Sequence, residues 1–195
     1  MANFTIPRKN IRKIDIIVES LTAPQVYKKY KPDYFINLAL YDMNRSTNIT
    51  FMEDENKKSG FLFSSFGIGI RGEKELVWVD KNTAFSNNEV RDFCSGSPTL
   101  VKNGQSFINW GNKVGSHSFG KHYRSFIGFN NDNLFLVASD NKLSIPEEVN
   151  VCRKFNMEFA INADGGGSVH LQKGSNVIRK STRRNASWLL VYMNK

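Results

Sequence analysis

Several things are scarce in this 195-residue sequence. There are two cysteines, Cys94 and Cys152, far apart in the chain. Such a pair makes neither a disulfide framework nor a CxxC metal site, so both read as buried thiols in a reducing compartment. The three histidines are His117, His122 and His170, and two of them five positions apart do not make a metal site. No metal and no other cofactor is expected. Five prolines and 14 glycines are too few for a fibrous chain. No apolar run reaches the roughly 18 residues of a membrane-spanning helix. Met1–Asn10 lacks an apolar signal-peptide region, so a cytoplasmic setting is expected. Acid is short as well: 18 Asp and Glu stand against 27 Lys and Arg, a net charge of +9.

With 40% hydrophobic and 12% aromatic residues, the chain is too apolar for disorder. Its length suits one domain over residues 1–195 with a sizeable core. The basic residues form two clusters. One is Arg8, Lys9, Arg12, Lys13, Lys28, Lys29 and Lys31, opposed by Asp15 and Glu19 and partly within a basic N-terminal strand region, 1–20. The other is Lys173, Arg179, Lys180, Arg183 and Arg184, with no acid among residues 173–184. Such clusters attract anions. No helix-turn-helix, RRM or zinc finger is readable, so a nucleic-acid partner is the weaker reading beside a small phosphorylated ligand.

Strand patterns dominate. They cover Ile11–Glu19, Tyr34–Leu40, Gly60–Ile70, Glu75–Val79, Arg124–Phe129, Leu134–Ser139, Met157–Asn162, Val169–Gln172 and Ala186–Met193. Asn130–Asn133 reads as a hairpin turn. A helix is predicted over Ile145–Phe155, opened by the capping box Ser144-Ile-Pro-Glu147, with Ile145, Val149, Cys152 and Phe155 on one face. A shorter one is predicted over Pro24–Tyr30. The fold class is α+β: a strand-rich mixed sheet with one or two covering helices.

One segment suggests chemistry. After the apolar strand come Asn162, Asp164, Gly165, Gly166, Gly167 and Ser168. Asn162 and Asp164 would share a sheet face if the strand persists. The glycines permit positive φ, and successive N–H groups can form an anion-binding nest. A flexible hairpin turn is the plain alternative.

Ala160-Ile-Asn-Ala-Asp-Gly-Gly-Gly-Ser168 resembles the signature of the phosphodiester glycosidase family, named for N-acetylglucosamine-1-phosphodiester α-N-acetylglucosaminidase. Further segments resemble the family in the same order. They are Tyr34-Phe-Ile-Asn37-Leu-Ala-Leu-Tyr-Asp42, Gly96-Ser-Pro98-Thr-Leu100-Val-Lys-Asn-Gly104, Arg124-Ser-Phe-Ile-Gly128 with Leu134-Phe-Leu-Val, and Arg184-Asn-Ala-Ser-Trp-Leu-Leu-Val. The resemblance spans residues 34–193. It departs at Leu38 and Ala39, where the family has two glycines, which implies a narrower or reshaped pocket.

The resemblance implies a hydrolase that cleaves the glycosidic bond of a sugar-1-phosphate diester. Asp164 would be the carboxylate beside an oxocarbenium-like transition state. Arg124 and Arg184 would hold phosphate in two-pronged contacts. Asn37 and Asn162 would orient hydroxyls or a water. Asp42 is a candidate second carboxylate or cap, and His170 a candidate proton carrier. Two other readings stand beside this one. The first is a phage-encoded binder or degrader of a phosphorylated sugar or nucleotide signal in the bacterial cytoplasm. The second is a phage structural module that binds wall glycopolymer.

Overall fold

Alternating side chains along the central strands set the layering. The computed structural model describes residues 1–38, 40–42, 47–48, 52–54, 57–59, 66–80, 90–110 and 116–195. Strands are numbered β1–β18 in chain order. Sheet one runs β1 (Ala2–Pro7), β14 (Asn133–Ala138), β13 (Ser125–Phe129), β15 (Phe159–Asn162), β11 (Thr99–Lys102) and β12 (Gln105–Asn109). Sheet two runs β7 (Lys57–Ser59), β6 (Met52–Asp54), β10 (Asp92–Ser95), β8 (Phe66–Arg71) and β9 (Glu75–Asp80). Sheet three runs β17 (Asn176–Arg179), β16 (Leu171–Lys173), β3 (Tyr34–Asn37), β18 (Trp188–Met193) and β2 (Ile11–Ile17). A small pair joins β4 (Tyr41–Asp42) to β5 (Thr47–Asn48). The helices are α1 (Ala23–Tyr30) and α2 (Ile145–Lys154).

The expected strand-rich character is present. The expected single mixed sheet is replaced, among the described residues, by three sheets with antiparallel pairings. Residues 60–65 of the strand expected over Gly60–Ile70 lie outside the described residues.

On β13, Ile127 enters the central core while its neighbour Phe126 packs toward α2. On β14, Leu136 faces the centre, and Phe135 and Val137 face α2. Sheet three repeats this: Ile36, Leu189 and Val191 face the centre, while Phe35, Trp188 and Leu190 face α1. The period-two alternation thus feeds one shared core and two outer helix-covered layers. Ile68, Ile70 and Leu76 bring sheet two into the same core. Buried Asp92 ties it to sheet three by accepting the Ile16 N–H at 3.2 Å.

Local chemistry accounts for the element ends. Glu147 accepts the Ser144 N–H (2.7 Å) and hydroxyl (2.9 Å), forming the expected capping box of α2. Thr22 and Gln25 form another at α1. Asn130 Oδ1 accepts the N–H groups of Asp132 and Asn133, making an Asx turn in the β13–β14 hairpin. Asn103 and Gly104, both at positive φ, close β11 onto β12. Both cysteines are free and buried, and burial pushes the Cys94 thiol up to about 12.

Candidate active site

β15 ends at Asn162, and the chain then leaves sheet one. The Ala163 N–H donates to Ser125 O (2.8 Å) and the Asp164 N–H to Leu38 O (2.6 Å). The shared sheet face expected for Asn162 and Asp164 does not form, because the strand does not persist. Asn162 donates its amide to the Ser97 carbonyl, and its buried Oδ1 has no hydrogen-bond donor.

Asn37 closes β3 beneath this step. Its Nδ2 donates to Asp164 O (2.8 Å), and its Oδ1 accepts from the Ser125 hydroxyl (2.7 Å) and the His170 N–H (2.9 Å). Fully buried and bonded on both sides, Asn37 positions the Asp164 backbone; the expected sugar contact is not available to it. Leu38 packs its side chain into the central core and offers only its carbonyl to Asp164. Leu38 thus serves core packing and the Asp164 backbone at this point; Ala39 lies outside the described residues.

The three glycines are needed for three different reasons. A Cβ on Gly165 would lie 2.5 Å from Tyr123 O, an impossible approach. Gly166 has φ +59°. A Cβ on Gly167 would crowd Thr182 Oγ1 at 2.9 Å. The expected open anion nest is not what forms. Gly166 N–H donates to Tyr123 O (2.9 Å), Ser168 N–H to Gly165 O (3.2 Å) and Val169 N–H to Gly166 O (3.4 Å). These three donors are spent on Tyr123 and on the 3₁₀ turn Gly166–Ser168 itself.

The turn instead presents Asp164 to a residue the sequence reading placed only in a basic run. Arg183 Nε donates to Ser168 Oγ (2.8 Å), and its Nη2 lies 3.5 Å from Asp164 Oδ2. The Thr182 N–H donates to Gly167 O (3.0 Å), and Asn185 Nδ2 to Ser168 O (3.0 Å), so the 182–185 segment clasps the turn. Burial pushes the Asp164 carboxyl up to about 6; Ser168, Arg183 and the Gly165 N–H pull the other way. Asp164 Oδ2 is buried, and the Arg183 guanidinium meets it as an ion pair and not as a close hydrogen bond.

Arg124 is not a phosphate contact in this geometry. It is 5% exposed, and its Nε donates to Leu143 O (3.1 Å). Its Nη2 donates to Ser118 O (3.1 Å) and Gly120 O (2.9 Å). Its Nε also lies 3.8 Å from Glu148 Oε2. Backbone carbonyls and a buried carboxylate hold its donors, so it ties the 118–120 loop to α2.

His170 is buried and lines the cleft that Arg183 borders, but its ring nitrogens are already engaged. Its Nε2 pairs with Gln172 Oε1 (3.0 Å), and its Nδ1 accepts the Ser181 N–H (3.2 Å). Its ring packs against Phe35 and Trp188. Burial lowers its pKa to about 4, so it stays neutral and both nitrogens are engaged; the expected proton-carrier role does not fit. Asp42 lies in β4, but its side chain and that of His117 lie outside the described ones.

Arg184 is exposed and donates Nη1 to Ser20 O at 2.8 Å. Arg183 and Arg184 border a cleft of about 550 Å³ between α1, the β16–β17 hairpin and residues 180–184. Arg183 therefore has one side on Asp164 and the other on the cleft. Adjacent in sequence to the expected Arg184, it could have been named from the basic run following the glycine turn, but not chosen over its neighbour.

A buried carboxylate clasped to an arginine at a glycine turn, beside a basic cleft, is an arrangement suited to glycosyl-phosphate chemistry. The comparisons name the class. The phosphodiester glycosidase family model matches residues 42–192, so the chain belongs to the phosphodiester glycosidase family. The fold is similar to the zebrafish N-acetylglucosamine-1-phosphodiester alpha-N-acetylglucosaminidase catalytic domain, auto-inhibited by pro-peptide. That match has a TM-score of 0.76 and 15% identity, covering 94% of this chain and 74% of that one. A hypothetical protein from Synechocystis matches with a TM-score of 0.74 and 13% identity, over 98% of this chain and 59% of that one. This chain thus spans less than two thirds of the Synechocystis protein. No curated protein sequence matches it. Among the described residues, no helix is long and apolar enough to cross a membrane.

Proposed function

We propose that this protein is a hydrolase that breaks the bond between the anomeric carbon and a phosphate oxygen of a sugar-1-phosphate diester. The observation that carries this reading is the pairing of Asp164 with Arg183, the arginine whose other side lines the cleft. Cleavage builds positive charge on the sugar and negative charge on the departing phosphate. Asp164 is suited to the first, as an electrostatic support and as base for an attacking water. Arg183 is suited to the second, because a guanidinium meets phosphate oxygens with two parallel hydrogen bonds. Ser168 holds the Arg183 Nε and fixes the fork. Arg184 stands next along the same wall. Asn162 Oδ1 is a buried acceptor without a donor, two residues before Asp164. A phosphate ester is already a weak base, so the leaving group needs cations more than a general acid. A neutral His170 with both ring nitrogens engaged is compatible with this.

The test is release of free sugar from a panel of sugar-1-phosphodiesters. Turnover by the wild type, abolished in Asp164→Asn with the fold retained, is the expected result. Tight binding of an intact ligand with no release over hours would replace the hydrolase by a binder.

A further inference from the structure

One lysine of the N-terminal basic cluster meets the C-terminal cluster across a cleft. Lys28 comes from α1, and Lys180, Arg183 and Arg184 from the segment after β17; all four line the cleft of about 550 Å³. No Asp or Glu lines it. The volume lies in the range of small-molecule sites. Part of the wall is apolar, formed by Tyr27, Pro24 and Val177. The Tyr27 ring is held stacked on Phe35, with centroids 6.5 Å apart.

This is more positive charge than a simple phosphodiester needs. Such a diester carries one negative charge, and Arg183 already meets it beside Asp164. Lys28, Lys180 and Arg184 would then face the cleft without a counter-charge. A diphosphate ester supplies a second charge, and its leaving group gains a further one as the bond breaks. Cations placed there bind the transition state better than the ground state, which is how binding becomes rate. An aromatic and aliphatic wall beside the cations suits the ring of a nucleoside.

We propose that the cleft binds the nucleoside diphosphate portion of a sugar nucleotide, which makes glycosyl diphosphate esters the preferred substrates over simple phosphodiesters. The binding part stands on the cleft alone; the turnover part rests on the hydrolase reading above. In the reaction, a water oxygen bonds to the anomeric carbon as the bond from that carbon to the phosphate oxygen breaks. The bonding pair leaves with the diphosphate. One water proton stays on the new sugar hydroxyl, and the other passes to Asp164 and then to solvent.

The experiment compares UDP-N-acetylglucosamine with the methyl phosphodiester of N-acetylglucosamine-1-phosphate, and measures UDP binding by calorimetry. The expected kcat/KM ratio favours the diphosphate by at least about tenfold, and Lys28→Gln with Lys180→Gln reduces that ratio about tenfold. The distant control Lys154→Gln, on α2, leaves the ratio unchanged. UDP binding weakens by a similar factor in the double variant and falls with added salt. Equal kcat/KM for both substrates, or UDP affinity indifferent to both lysines, overturns the proposal. If neither ester is hydrolysed but UDP binds with the expected lysine dependence, the hydrolase reading and the substrate preference fall and the nucleotide cleft stands. If the methyl ester is hydrolysed and UDP does not bind, the cleft proposal falls and the hydrolase stands.

Discussion

Two carboxylate–arginine pairs, Glu148–Arg124 and Asp164–Arg183, are built for opposite purposes. In the Glu148–Arg124 pair both side chains are sealed, at 0% and 6% exposure. The arginine spends its hydrogen bonds on backbone carbonyls, and burial pushes the Glu148 carboxyl well above its ordinary range. In the Asp164–Arg183 pair the arginine is 29% exposed and borders the cleft. The same two chemical groups give a fastener in one place and a candidate catalytic pair in the other. What differs is access: only Arg183 can exchange its carboxylate for a ligand without opening the core.

The sharpest way to separate the pairs is by activity. Asp164→Asn is expected to reduce sugar release about a thousandfold, on the order of 4 kcal/mol of barrier, with the same cooperative unfolding transition. Arg124→Ala should break the other pair and act on stability. Glu148 is left buried without its cation, and the expected loss is about 3–5 kcal/mol in urea unfolding. Replacing both partners by apolar residues, Arg124→Met with Glu148→Leu, should recover most of that loss. If Arg124→Ala folds normally and loses phosphate affinity instead, the fastener assignment is wrong.

Arg183→Gln should reduce kcat/KM about a hundredfold with a stability change within about 1 kcal/mol, because a partly exposed pair contributes little to folding. It should also move the acid limb of the rate profile upward. Arg183 pulls the Asp164 pKa down, so its removal leaves the carboxyl protonated to higher pH. In the wild type, activity should rise with pH through about 6, where Asp164 ionises.

The smallest effect concerns stability against pH. His170 titrates near 4 when folded instead of 6.5, so the unfolded chain takes the proton first. Its contribution is present above pH 6.5 and is lost as pH falls toward 4. Asp164 is opposite in sign. Its pKa is raised from 3.8 to about 6, so the folded state holds the extra proton, and stability grows as pH falls through that window. The two offset each other in the wild type. Asp164→Asn should therefore lose stability more steeply between pH 6 and 4, measured by unfolding at fixed pH steps. An unchanged slope would mean that Asp164 is not buried as described.

Local rules made much of the fold legible. The Ser144–Glu147 box, the Asn130 turn and the apolar alternation of β13, β14 and β18 are short-range features with direct physical causes. Asn103-Gly104 between apolar runs is a local signal of the same kind, marking the β11–β12 hairpin, whose turn needs positive φ at both residues. The site was less legible. Asp164 stood out because a carboxylate before three glycines is locally unusual. The sequence placed Arg183 and Arg184 side by side, and nothing local says which one turns inward. That is decided when Thr182 pairs with Gly167, 15 residues earlier.

Composition thus established a basic, strand-rich chain, and motif order its resemblance to the phosphodiester glycosidase family with a carboxylate at the glycine turn, since these depend on residue identity and near neighbours. Partner choice came only with the tertiary structure. It sealed Arg124 against Glu148, engaged both ring nitrogens of His170, spent Asn37 on the backbone and brought Lys28 across to Lys180 and Arg184. Each outcome depends on which distant groups share a desolvated space, and no local pattern carries that information.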